Sequence, residues 1–388
     1  MIMTPLVDTD QGTLHLKVME NVKFDLINRT NEADKAVAIW LAVIAGMVAA
    51  MVIIGGITRV TGSGLSMVEW RPLLGWLPPL SDEEWQRIFK LYQNSPEYRY
   101  INTWMDLSAF KSIFWWEYIH RLWGRLIGVV FFLPFIFFLV TQKIKRRLLS
   151  RICFLFFLGG LQGALGWWMV KSGLSSDPSV SQYRLATHLG MAFLILGLLI
   201  WTILDLVGTR DALESKVRIY HANTVTGLIF LTVIGGALVA GLKAGLVYNT
   251  FPLMGERIIP SDYFSVEPYW RNIFENVSAV QFNHRILAII TLFAVVSLCL
   301  CSHFFCYSDQ LLKSVYIMTT LATVQFLLGV LTLINFVPEG LAVAHQFTGL
   351  CLFGASVVIS WGVSMPVSYT HLRAHETGRN LVCRLLLE

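Results

Sequence analysis

Eight separate stretches of this 388-residue chain are long and apolar enough to cross a bilayer, and this fact constrains the fold more than any other. They run at 37–57, 113–140, 152–171, 183–207, 218–240, 277–302, 313–336 and 341–365. A spanning helix needs about 20 mostly apolar residues. Backbone groups in lipid must be satisfied within a helix or a closed barrel, and no dyad alternation of the barrel kind is visible. Charged residues make up 14% of the chain, against about 25% in a soluble domain. The expected fold is therefore an all-α integral membrane protein of eight transmembrane helices. The net charge of +5 forms no continuous basic stripe and does not point to nucleic acid. Six cysteines without a CxxC pair indicate neither a disulfide framework nor a thiolate metal site.

The short loops set the orientation. The 142–151 loop carries Lys143, Lys145, Arg146, Arg147 and Arg151, and the 208–217 loop adds Arg210 and Lys216. Loops 172–182 and 337–340 hold only Lys171, at an edge. By the positive-inside rule the N-terminus is cytoplasmic, and the long loops 58–112 and 241–276 face outward. The first 36 residues contain acids and no apolar h-region, unlike a signal or transit peptide. That favours a bacterial plasma (inner) membrane over an organelle import route.

The chain repeats itself. Glu117-Tyr-Ile-His120-Arg121 recurs as Gln281-Phe-Asn-His284-Arg285. Ala186-Thr-His188-Leu-Gly190 recurs loosely as Val343-Ala-His345-Gln-Phe-Thr-Gly349. Gly55-Gly56 matches Gly235-Gly236, and Gln162 matches Gln325. The expectation is two pseudo-symmetric four-helix bundles, 37–207 and 218–365, in parallel orientation. They follow a cytoplasmic tail, 1–36. Parallel repeats also occur in transporters, so duplication alone does not decide function. The broken-helix pattern of a transporter is not evident.

His120, His188, His284 and His345 fall on alternate spans, each about 5 to 8 residues from the outward start of its run, or about 8–12 Å deep. Ionisable residues within a membrane are costly and usually functional. A neutral imidazole can ligate iron through one ring nitrogen. A lone histidine is as well read as an interhelical hydrogen-bonding group. Four at one depth, two per repeat, point to two haems, held by His120 with His188 and by His284 with His345. Arg121, Arg125 and Arg285 suit haem propionates by bidentate pairing, or else snorkel to headgroups. Glu117 shares a helix face with His120, whereas its counterpart Gln281 cannot ionise. This suggests a chemical site in the first half and an electron-transfer site in the second; the alternative is an interfacial Glu117 facing water.

These residues resemble the heme A synthase family, in its proteobacterial and mitochondrial branch. The resemblance rests on Gly55-Gly-Ile-Thr-Arg59, Gly62-Ser-Gly-Leu-Ser66 with Glu69-Trp70, Glu117-Tyr-Ile-His-Arg121 with Gly124-Arg125, and the three later histidines, with Pro78-Pro79 and Glu83-Glu84-Trp85 in the first long loop. It spans about residues 30–365. The cysteine pair of another branch has no counterpart in the outward loops. The resemblance implies oxidation of the C8 methyl of haem O to a formyl group, giving haem A for cytochrome oxidase. It implies substrate haem at His120 and His188, haem b at His284 and His345, and a need for Glu117 in the reaction. Haem O synthase and cytochrome oxidase assembly factors are the implied partners, and the electron partner is not identified. The competing reading is a dihaem cytochrome b-type membrane electron carrier, with no chemistry on the macrocycle. Residues 366–388 turn abruptly polar and have no counterpart in the family; they are read as a non-native tail.

Overall fold

The computed structural model describes residues 10–364, apart from 72–74, 176–177, 209–214 and 305–306, with side chains described from residue 32 onward. The expected 366–388 tail, Arg210 and the first nine residues lie outside the described part. Among the described residues eleven α-helices follow one another: α1 (Asp10–Val60), α2 (Asp82–Gln93), α3 (Pro96–Tyr100), α4 (Leu107–Val140), α5 (Arg146–Gly173), α6 (Gln182–Val207), α7 (Lys216–Gly241), α8 (Asn272–Glu275), α9 (Val277–Phe304), α10 (Asp309–Ile334) and α11 (Glu339–Val363). Eight of them, α1 (over Glu32–Val60), α4, α5, α6, α7, α9, α10 and α11, are long and apolar enough to span a membrane. The protein is a multi-pass membrane protein.

The spanning helices close into two rings with the same order of neighbours. In the first, α1 packs on α4, α4 on α5, α5 on α6 and α6 back on α1; in the second, α7 packs on α9, α9 on α10, α10 on α11 and α11 back on α7. The rings meet through their first and fourth helices, with α6 against both α7 and α11, and α1 against α11. This is the neighbour pattern a duplicated four-helix unit gives. One large apolar core runs through both rings, from Leu41 and Ile44 on α1 to Val357 and Ile359 on α11. Phe132, Leu133 and Phe137 of α4 point away from it.

Local chemistry explains where the helices bend and stop. Pro134 lies inside α4 and has no N–H to give the carbonyl four residues back. That carbonyl, on Val130, instead accepts from the Trp40 indole of α1 at 3.0 Å. The Trp40 ring also packs against Phe131 and Phe138. The sequence reading carried the seventh span to residue 336, but α10 ends at Ile334. Phe336 and Val337 turn left-handed (φ 61° and 58°), and the Val337 N–H closes on the Thr332 carbonyl at 2.8 Å. This is the Schellman way of satisfying a helix end.

The second departure is on α4, which begins at Leu107 and not near 113. Asp106 caps it by accepting from the Ala109 N–H at 2.8 Å. The added turns carry Phe110 into an aromatic cluster with Phe114 and Tyr118 further along α4, with Trp85, Phe89 and Tyr92 of α2, and with Met105. The long connection after α1 is thus a folded cap resting on a helix that projects past its neighbours. His120 accordingly sits two turns deeper along its helix than His188, His284 and His345 do along theirs.

Candidate haem chambers

In each ring the histidine-bearing helices alternate with glycine-bearing ones, and each imidazole rests on a glycine. A β-carbon placed on Gly55 of α1 would lie 3.3 Å from the His120 Nε2. One on Gly166 of α5 would lie 3.0 Å from the His188 Cε1. In the second ring, β-carbons placed on Gly235 and Gly236 of α7 would lie 3.3 and 3.2 Å from the His284 ring, and one on Gly329 of α10 would lie 2.9 Å from that of His345. The absence of side chains at these positions makes room for the rings. His120 lies within electrostatic reach of His188, and His284 of His345. The Nδ1 atoms of His188, His284 and His345 are buried without a hydrogen-bond partner.

The repeated glutamines stand one turn before the α5 and α10 glycines. Gln162 Nε2 donates to the backbone carbonyl of His188 at 3.0 Å, whereas Gln325 Nε2 lies 3.3 Å from the ring Nε2 of His345. The Oε1 atoms of both glutamines are buried and unbonded. Their spacing to Gly166 and Gly329 was the sequence signal that would have revealed the two cradles.

Glu117 is 2% exposed, so the alternative of a carboxylate facing water does not hold. Its Oε2 accepts from the Ser66 hydroxyl and the Met67 N–H, each at 2.7 Å, and its Oε1 from Arg121 at 2.5 Å. Arg121 goes on to donate to the carbonyls of Met67 and Glu69. Together the two residues clasp the segment following α1. The second ring has the same clasp with the polarity reversed: Gln281 Nε2 donates to the Tyr248 carbonyl at 3.0 Å, and Arg285 donates to the carbonyls of Tyr248 and Thr250. Arg125 donates to the Arg71 carbonyl at 2.8 Å. Each of the three arginines therefore reaches backbone carbonyls of a long connection; all three also line the cavity described next.

A cavity of about 1640 Å³ is shared by both rings and lined by all four histidines, Glu117 and the three arginines. A pocket for one small ligand is usually about 300–1,000 Å³, so there is space here for more than one large ligand. Among the described residues no three His, Cys, Asp or Glu side chains converge as they would on a bare metal ion. Paired imidazoles on glycine cradles in a large apolar cavity fit an iron already held in a macrocycle, which asks the protein for axial ligands only. The described cysteines, Cys153, Cys299, Cys301 and Cys351, are free.

Three polar residues that the sequence reading left without a role join the site. Glu97, on α3 of the cap, lines the cavity and is 8% exposed. Burial pushes its carboxyl up to about 7, against the downward pull of a hydrogen bond from Tyr92. Arg59, near the end of α1, reaches across to the Ala240 carbonyl of α7 at 2.7 Å. Gln346 of α11 donates to the Val52 carbonyl of α1 at 2.7 Å, over Gly56. The last two tie the rings together beside the cavity. Glu97 has no counterpart in the second half and lies outside every apolar run, so no pattern marked it.

The sequence profile of a family described as cytochrome oxidase assembly protein matches residues 38–357. Among curated proteins the chain is 45% identical over 336 residues to the heme A synthase of Parvibaculum lavamentivorans, covering 86% of this chain and 96% of that protein. It is 44% identical to that of Nitrosospira multiformis, covering 84% and 93%. It is 47% identical to that of Rhodospirillum centenum, covering 85% and 88%.

Proposed function

The chain belongs to the heme A synthase family, and from that premise we propose that it oxidises the C8 methyl of haem O to a formyl group, giving haem A for cytochrome oxidase. The observation that carries the reading is the inequality of the two chambers: matched histidine pairs and matched clasps, with a buried carboxylate in one and an amide in the other. The substrate haem is assigned to the first chamber, 37–207, with His120 and His188 as its axial ligands. Haem b is assigned to the second, 218–365, with His284 and His345. When bound there, haem b would supply a one-electron carrier beside the reacting chamber.

The protein's own groups do the rest. The glycine cradles leave room for the imidazoles and fix their positions. Ser66, the Met67 N–H and Arg121 hold Glu117 one helical turn from His120, where it accepts or relays protons leaving the methyl. Arg121, Arg125 and Arg285 are placed to meet propionates as well as the loop carbonyls. The basic connection between α4 and α5 supports a cytoplasmic N-terminus in a bacterial inner membrane. Haem O synthase and cytochrome oxidase assembly factors are the proposed partners.

Pigment extraction from the purified protein tests the assignment. Wild type should yield haem O or haem A beside haem B. His284→Ala should lose haem B, and His120→Ala should lose the substrate pigment. Haem B alone in the wild type, with no conversion of added haem O, would leave a dihaem electron carrier in place of an enzyme. Glu117→Gln should bind haem O and convert it at least about 100-fold more slowly, the scale of a lost general base.

A further inference from the structure

We propose that Glu97 is a second carboxylate of the first chamber, which exchanges protons between the cavity and the aqueous face that carries the cap. The inference rests on the first chamber being the reacting one. Turning a methyl into a formyl group with water as the oxygen source releases four protons and four electrons, two of the protons from the methyl and two from the water. Those protons must leave a cavity whose walls are mostly apolar, while the electrons pass one at a time to a one-electron acceptor.

The hydrogen bonding of the two carboxylates separates their roles. Glu117 is engaged by three donors. Among the described residues the Glu97 carboxylate accepts one hydrogen bond, from the Tyr92 hydroxyl to Oε2 at 3.1 Å. Tyr92 is in turn held by the Asn102 amide at 2.8 Å. Tyr92 itself is fully buried in the aromatic cluster of the cap. Glu97 and Asn102 both line the cavity.

The charges facing Glu97 come from every side. Arg59 from α1 and Lys243 from the turn after α7 favour its anion; Glu117 from α4 and burial in the cap oppose it, and Tyr92 from α2 supplies the hydrogen bond. These opposing influences leave a carboxyl near 7, which can be charged or neutral at working pH. The step is a simple proton exchange: the Glu97 carboxylate takes one proton from the cavity to become the acid, then returns it to water on the cap side. No bond to carbon forms or breaks at Glu97.

Infrared difference spectra of the full-length purified protein, titrated from pH 5 to 9, read this directly. The carbonyl stretch of a protonated carboxyl should fade with a midpoint near 7. That signal should be missing in Glu97→Gln. In Tyr92→Phe it should titrate at higher pH, because the lost hydrogen bond favoured the anion. Conversion of haem O by wild type should fall below the same midpoint, as the accepting form is lost. Glu97→Gln should turn over about 10-fold or more slowly, without that acid limb, at wild-type haem content. A wild-type carboxyl signal that survives Glu97→Gln, or a variant with an unchanged pH profile, overturns the proposal. If Glu97→Gln does not fold, the Tyr92→Phe shift decides, and an unmoved midpoint overturns it. A wild type that converts no haem O defeats the functional reading, while the infrared titration still decides whether Glu97 is the exchanging group.

Discussion

A methyl group is enough to disturb a ring that already touches its neighbour's backbone. At Gly329 an added β-carbon would meet His345 at 2.9 Å, while at Gly128, away from the cavity, it would meet nothing within 4 Å. Gly329→Ala should therefore release haem B from the purified protein while the first chamber keeps its pigment, and Gly128→Ala should leave both unchanged, as pyridine haemochrome assays would show. Glu97 makes a different residue-scale prediction. Its folded carboxyl is raised from 4.5 to about 7, so between those values the folded chain binds a proton the unfolded chain releases. Stability linked to Glu97 is full below about pH 4.5 and lost as pH rises through 7. Thermal unfolding of Glu97→Gln should match wild type at pH 5 and exceed it at pH 8. The four histidines were legible in the sequence because they recur in register. Glu97 was not, because it stands alone on a five-residue helix with no counterpart in the second half.

The elements behave as their termini and interruptions dictate. The Trp40 indole answers the carbonyl that Pro134 leaves open, so Trp40→Phe keeps an aromatic ring in the core but orphans the Val130 oxygen. The expected loss is about 1–3 kcal/mol, measurable by denaturant unfolding in micelles. Pro134→Ala in that background should recover much of it, because the helix then supplies its own donor. In the cap, Phe110 is wholly buried against Phe89, Tyr92 and Phe114. Phe110→Ala should cost the cap about 3–5 kcal/mol and expose the α2 segment to limited proteolysis before the spans unfold. All eight spans could be read from apolar run length. The outward extension of α4 was missed because its first turns are mixed in polarity. The end of α10 was overshot because Phe336 and Val337 stay apolar through a turn that backbone geometry, not hydropathy, imposes.

At the scale of the molecule, the rings are joined beside the cavity by polar side chains reaching backbone carbonyls. Arg59 to Ala240 and Gln346 to Val52 are examples. Such contacts carry no sequence pattern, which is why the two halves could be recognised but not how they meet. The matching order of helix neighbours was foreshadowed because the motifs keep the same order in both halves. The clasp between Glu117 and the segment after α1, and its reversed twin at Gln281, has a consequence for symmetry. Two identical four-helix chains paired about an axis would have to carry the same residue in both chambers, and any gain from a carboxylate in one would be imposed on the other. A single chain with two unlike halves is free of that constraint, so one loop offers hydroxyl and amide donors to an acid while the other offers a carbonyl to an amide. Two chambers alike in frame and unlike in charge are open to one continuous chain and closed to a symmetric pair.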